Sequence, residues 1–179
     1  MVNRYHFLNS YKNMLGKKTK ELLNDQVEAE SFASQSYLAM HVYLDDAGYD
    51  GFAKFFFDRS EEERLHMMKV IGYLGDKNEK AEVRPIKDVE TKFDNVLGVF
   101  NHALELECAT TDAIKKVCSA ATKENDFMTL NFLNWFLEEQ REEEALFNTF
   151  VDKIEIFGEN KAGLYLLQEE LKNFQPQDV

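Results

Sequence analysis

The segment NFLNWFLEEQREEEALF, residues 131–147, decides the fold. Apolar and acidic residues recur in it at steps of three and four, and neither Gly nor Pro interrupts it. Extended in both directions, one face reads Leu130, Leu133, Leu137, Gln140, Glu143, Phe147, Phe150 and Ile154. That is the period of an α-helix with a single inward stripe, and it predicts a helix over 126–157. The same period recurs three times upstream. It predicts a helix over 19–47 from Leu23, Val27, Glu30, Ala33, Tyr37, Met40 and Leu44, and another over 51–77 from Phe52, Phe55, Arg59, Glu63, His66, Val70 and Tyr73. A third, over 90–123, follows from Phe93, Leu97, Phe100, Leu104, Glu107, Thr111, Ile114 and Val117. A short fifth helix is predicted over 162–174.

Turn residues fall between these segments, at Asp45–Gly51, Gly75–Pro85, Thr122–Asp126 and Gly158–Asn160. Four stripes of this kind can be buried only against one another, so the fold class is all-α, a four-helix bundle. The link at 78–89 contains Pro85 and reaches about 40 Å if extended, roughly one helix length. The other links are tight. One long crossover is therefore expected between the second and third helices.

Composition agrees. A chain of 179 residues makes one domain, and only 2 Pro and 8 Gly argue against a many-turned β-fold. With 21 basic and 33 acidic residues the net charge is −12, which speaks against a nucleic-acid or anionic-membrane partner. No run of 18 apolar residues is present to span a membrane. Cys108 and Cys118 are too few for a disulfide framework, so reduced thiols and a cytoplasmic location are expected. The first 20 residues carry Arg4, Lys12, Lys17, Lys18 and Lys20 and no acid, but no apolar h-region of a secretory signal. The expected organisation is a basic extension over 1–18, the bundle over 19–174 and a tail over 175–179.

Every stripe is broken near its middle by a polar residue: Glu30, Glu63 with His66, Glu107, and Gln140 with Glu143. Measured along the helices from one end of the bundle, these positions agree to roughly 8 Å at 1.5 Å per residue. An isolated buried carboxylate costs several kcal/mol, and converging ones repel. Divalent or trivalent cations remove that penalty, and oxygen ligands with one imidazole suit Fe(II), Mn(II) or Zn(II). Glu63 and His66, at i and i+3, share a helix face and can hold one ion. In di-iron carboxylate bundles two helices give a Glu each and two give Glu-x-x-His. Here Gln140-x-x-Glu143 stands in place of the second Glu-x-x-His. One ion is thus expected on Glu30, Glu63 and His66. A more loosely held one is expected on Glu107, Glu143 and the weak oxygen of Gln140, with Glu63 as a bridge.

Asn24-Asp25-Gln26 leading to Glu30 and Tyr37, the segment SEEERLHMM at 60–68, and the run at 131–147 together resemble bacterial-type non-haem ferritin over residues 20 to 170. The resemblance implies a ferritin-like bundle with iron storage as its function. It implies a ferroxidase centre that oxidises Fe(II) with O2 or H2O2, and self-assembly into a homo-oligomeric cage of about 24 chains around a ferric mineral. By position it makes Glu30, Glu63, His66, Glu107, Gln140 and Glu143 the di-iron ligands. It makes Glu62, Glu139 and Glu142, with Glu143 shared, a third iron site, and Tyr37 an electron donor beside the centre. No haem is expected, because the haem-bearing relatives place a methionine where Arg64 stands.

Competing readings are a di-iron peroxidase or oxygenase on the same bundle, a metal-free interaction bundle, and a DNA-protecting mini-ferritin. The last is disfavoured because one chain supplies the whole ligand set. Some of Glu138, Glu139, Glu142 and Glu144 must be a solvated face, since consecutive residues cannot all point inward. His41 lies too far along its helix to share the metal of Glu30, and His102 is expected on the surface beside Glu105. The dense rings Phe55-Phe56-Phe57 and Trp135-Phe136 are expected to be buried in part by neighbouring subunits.

Overall fold

Each of the four stripes forms one long helix. The computed structural model describes residues 15–158 and 160–172, and in it α1 spans Lys17–Asp46, α2 Asp50–Asp76, α3 Val96–Lys123, α4 Phe127–Phe157 and α5 Lys161–Lys172. The described residues contain no strand. The turns form where the sequence places its punctuation. Gly48 (φ 79°), Asn78 (φ 57°), Asn125 (φ 56°) and Gly158 (φ 57°) take the left-handed conformation that ends a helix, which glycine and asparagine adopt at least cost.

The expected extension over 1–18 lies mostly outside the described residues. Its last part is already bundle, since Leu15 is buried and α1 begins at Lys17. The Glu124 carboxylate, from the turn between α3 and α4, caps the start of α1 by accepting from the Lys18 backbone N–H (3.3 Å) and the Thr19 hydroxyl. The tail over 175–179 and the end of the predicted fifth helix also lie outside.

The third helix departs from its expected start. It begins at Val96, not at 90, because the Asn95 side chain accepts from the Gly98 N–H (2.9 Å) and caps the first turn there. Just before it, the Glu90 carboxylate accepts from the backbone N–H groups of Thr91 and Lys92, which closes a local turn where helix was expected. The crossover is correspondingly longer, covering 77–95. Asn95→Ala is expected to lower stability by about 1 kcal/mol, the usual worth of such a cap, as read from chemical denaturation.

Two apolar clusters fix the topology. One gathers Tyr37 to Leu44 of α1, Phe52 to Phe56 of α2, Val96 to Ala103 of α3 and Phe147 to Ile154 of α4, with Leu164, Leu167 and Leu171 of α5 across the end. The other gathers Leu23 and Val27, Val70 and Leu74, Ile114 and Val117, and Leu133 and Phe136. So α2 and α3 run from the first cluster to the second, and α1 and α4 run back. The crossover touches both, with Ala81 on the second cluster and Phe93 on the first, and therefore runs the length of the bundle. It is tied to α1 on the way. The Asn24 side-chain oxygen, Oδ1, accepts from the Glu82 N–H (2.7 Å), and Arg84 pairs with Asp25 (2.7 Å) and Glu28 (3.3 Å).

The aromatic residues pack more within one chain than expected. Phe55 and Phe56 are both buried, their rings 5.3 Å apart and each against Phe100 and Phe147. Phe136 is buried too, and half-buried Trp135 lies under the Lys69 ammonium, 3.2 Å from its ring centre. Only Phe57 of these rings is exposed, at 43 %, and it meets the His41 ring at 5.4 Å. The stripes are also redrawn slightly. Phe136, Leu74 and Val99 with Ala103 are the fully buried positions where Leu137, Tyr73 and Leu97 with Leu104 were expected, and Thr129 replaces Leu130.

Candidate metal centre

Between the two apolar clusters lies a layer of buried polar side chains. Glu30, Tyr37, Arg59, Glu62, Glu63, His66, Glu107, Gln140 and Glu143 are all buried. The periodicity that makes the helices amphipathic puts them there, for each occupies a stripe position or its immediate neighbour.

Glu30, Glu63 and His66 converge, each offering a ligand atom within 4.8 Å of the others. Glu30 comes from α1 and Glu63 from α2, with ligand atoms no more than 4.8 Å apart. Burial first, and then the Glu63 charge, hold the Glu30 carboxyl well above the usual carboxylate range. Burial and the Glu107 charge do the same to Glu63. Gln26, four residues before Glu30 and so on the same face, donates Nε2 to Glu30 Oε1 at 2.9 Å and fixes that side chain. The other oxygen of Glu30 and Nε2 of His66 are buried and have no hydrogen-bond partner. Buried polar atoms normally find one. Two unpaired Lewis-basic atoms in a three-residue cluster are what a cation would coordinate.

Glu107, Gln140 and Glu143 occupy the same layer but are differently engaged. Glu107 accepts from the Tyr37 hydroxyl and from Gln140 Nε2 (2.8 Å). Burial and the Glu143 charge push its carboxyl up to about 7, while those two hydrogen bonds work the other way. Gln140 therefore meets Glu107 as a donor, and its Nε2 also reaches the Glu107 backbone carbonyl at 3.2 Å. Tyr37 stacks on Phe147 with ring centres 5.9 Å apart, and burial ahead of the Glu107 charge raises its hydroxyl well above 10. Glu143 accepts from Arg59 through Oε1, and its Oε2 is buried and unpaired.

The positions expected for a third ion are divided. Glu62 and half-buried Glu139 lie with His66 in a second group whose ligand atoms approach within 4.8 Å. Glu142 is exposed, and its Oε1 accepts from Arg141 at 2.9 Å. His41 is apart from the layer, its Nδ1 2.9 Å from the Ala53 carbonyl. His102 lies 3.8 Å from Glu105, as its spacing suggested.

Arg59 is the residue that the sequence reading passed over. It is 2 % exposed, with NH2 2.5 Å from Glu62 Oε2 and NH1 on Glu143 Oε1. Burial opposes its charge, but Glu143 and Glu62 outweigh that and raise its pKa. The signal was present: Arg59 stands in the stripe one turn before Glu63, and an inward arginine needs acidic partners.

Comparison with known proteins agrees with the fold. The family model for the ferritin-like domain matches residues 20–157, which covers all four long helices almost entirely. A bacterial non-heme ferritin of Staphylococcus haemolyticus is 41 % identical over 158 residues, 88 % of this chain and 95 % of that one. One from Staphylococcus aureus is 39 % identical with the same coverage. Among solved structures, an open pore ferritin of the archaeon Archaeoglobus fulgidus superposes with a TM-score of 0.87 at 33 % identity, over 90 % of this chain and 99 % of that one. With a match that spans every helix contributing to the polar layer, and relatives aligned over nearly their whole length, the chain belongs to the ferritin family.

Proposed function

We propose that this protein stores iron, and that each chain oxidises Fe(II) in the polar layer before the ferric product passes to a mineral inside a homo-oligomeric cage. The observation that carries this reading is the cluster of Glu30, Glu63 and His66, three buried ligand groups from two helices with two unpaired donor atoms. Glu107 and Glu143, across the layer on α3 and α4, supply further oxygens for a second ion. Two Fe(II) ions give up two electrons, which reduce O2 with two protons to H2O2, or H2O2 with two protons to water. The chain supplies placement and charge, and iron, the substrate, supplies the redox chemistry.

Each residue has a distinct part. Glu30 and His66 hold the first ion, with Gln26 setting the rotamer of Glu30. Glu63 sits between the two positions. Tyr37 and Gln140 aim Glu107 and hold it in place when no ion is there. The second position is the looser one, since its carboxylates already have hydrogen-bond partners in Tyr37, Gln140 and Arg59. A loosely held ion suits a site that hands its product on. The excess of acid in the chain favours cation collection, and the reading places the protein in the cytoplasm.

Aerobic addition of Fe(II) to the sized native particle tests the proposal. The expected result is a particle of about 24 chains that keeps hundreds of irons as soluble ferric material. Turnover that stops at a few irons per chain would favour a di-iron peroxidase or oxygenase, and oxidation no faster than buffer would end the iron reading.

A further inference from the structure

Among the described residues, Arg59 is the one arginine or lysine buried within the polar layer, and its position is specific. The resemblance assigns a third ion to Glu62, Glu139, Glu142 and Glu143. The guanidinium of Arg59 already spans two of those four, with NH2 on Glu62 at 2.5 Å and NH1 on Glu143. A third, Glu142, points to solvent and pairs with Arg141.

We propose that Arg59 sets the ion count of the centre: its guanidinium stands where a third ion would bind, so each chain takes up two ions and not three. This rests on the iron-oxidation reading given above. An arginine side chain stays protonated at any pH the protein meets, and its planar fork can hold two carboxylates at once. It is backed by the Phe55 ring, 5.5 Å from the guanidinium carbon. A cation entering between Glu62 and Glu143 must either sit beside a fixed positive charge or push the guanidinium off both partners. The second route leaves a buried charge unpaired, which costs more than the pair is worth. Glu143 meanwhile gives Oε1 to Arg59 and keeps the unpaired Oε2 free for an ion of the pair. The group of Glu62, His66 and Glu139 does not escape this control. It shares His66 with the Glu30 cluster, and its Glu62, whose two oxygens lack a hydrogen-bond partner, has the Arg59 charge 2.5 Å from Oε2.

The test counts ions on the assembled protein, with Zn(II) as a redox-inert probe and anaerobic Fe(II) as the substrate. Both are followed by titration calorimetry and located by anomalous scattering from metal-soaked crystals. The native chain should bind two ions. Arg59→Gln, which removes the charge and leaves a polar side chain, should bind a third with an affinity raised by at least about ten-fold. Arg59→Lys, which keeps the charge, should stay at two, and it serves if the glutamine variant fails to assemble. A third ion in the native protein, at Glu62 and Glu139 or between Glu62 and Glu143, overturns the proposal and leaves the iron reading intact. An Arg59→Gln protein that still stops at two also overturns it. A native protein that binds no ion overturns the iron reading itself, and this inference with it.

Discussion

Glu63→Gln is expected to slow the initial rate of aerobic Fe(II) oxidation by about 100-fold or more, a loss of roughly 2.7 kcal/mol of transition-state stabilisation. In the proposed centre Glu63 would serve both ions, since it lies within ligand distance of Glu30 and His66 and close enough to Glu107 to feel its charge. An amide keeps the shape and removes the anionic oxygens, so packing is spared. The metal-free variant should be at least as stable as the parent, because burial already keeps the Glu63 carboxyl protonated far above its ordinary range. Stopped-flow absorbance of the ferric product reads the rate, and scanning calorimetry reads the stability. A variant that oxidises Fe(II) at the parent rate would remove Glu63 from the centre. One that loses both rate and stability would mark it as a packing residue.

The stability of the metal-free protein and the stabilisation added by a bound metal should change with pH in opposite directions. The Glu107 carboxyl is pushed up to about 7, and Glu30 and Glu63 are held well above the usual range. In the unfolded chain such groups titrate near 4.3. Between those limits the folded state binds more protons than the unfolded one, so stability falls as pH rises. The contribution is fully present below the unfolded pKa and is lost as pH passes through the folded values, a swing on the order of a few kcal/mol. A bound cation needs the same carboxylates deprotonated, so its stabilisation grows with pH. Saturating Zn(II) should therefore raise the unfolding temperature more at pH 8 than at pH 6, while the metal-free midpoint falls over that interval. Equal Zn(II) shifts at both values would contradict the assignment of these carboxylates as ligands.

The helices were legible because long amphipathic periods without Gly or Pro leave little choice. The start of α3 was not, because the Asn95 cap depends on a side chain bonding three residues ahead, and the apolar spacing of Phe93 and Leu97 continues through it. The inward glutamates were legible as breaks in otherwise apolar stripes. What spacing could not give was the partner of each atom. The Gln140 amide, for one, donates Nε2 to Glu107, which faces it from another helix. Arg59 could be placed on the inner face, but its two carboxylates come from its own helix and from α4, and only packing brings Glu143 to it. Glu142 likewise belonged to an acidic run whose faces a shift of one residue exchanges.

Every ligand candidate projects from the middle of a helix, a dozen or so residues from either terminus, with a tightly packed apolar block above and below it. Fraying at helix ends does not propagate that far, so the main chain around these side chains is a fixed frame. Whatever give the centre has must come from torsion about the side-chain bonds of its glutamates. Rigid pillars carrying supple arms can accept a small ion, tolerate its change in radius on losing an electron, and let it go without loosening the assembly around it.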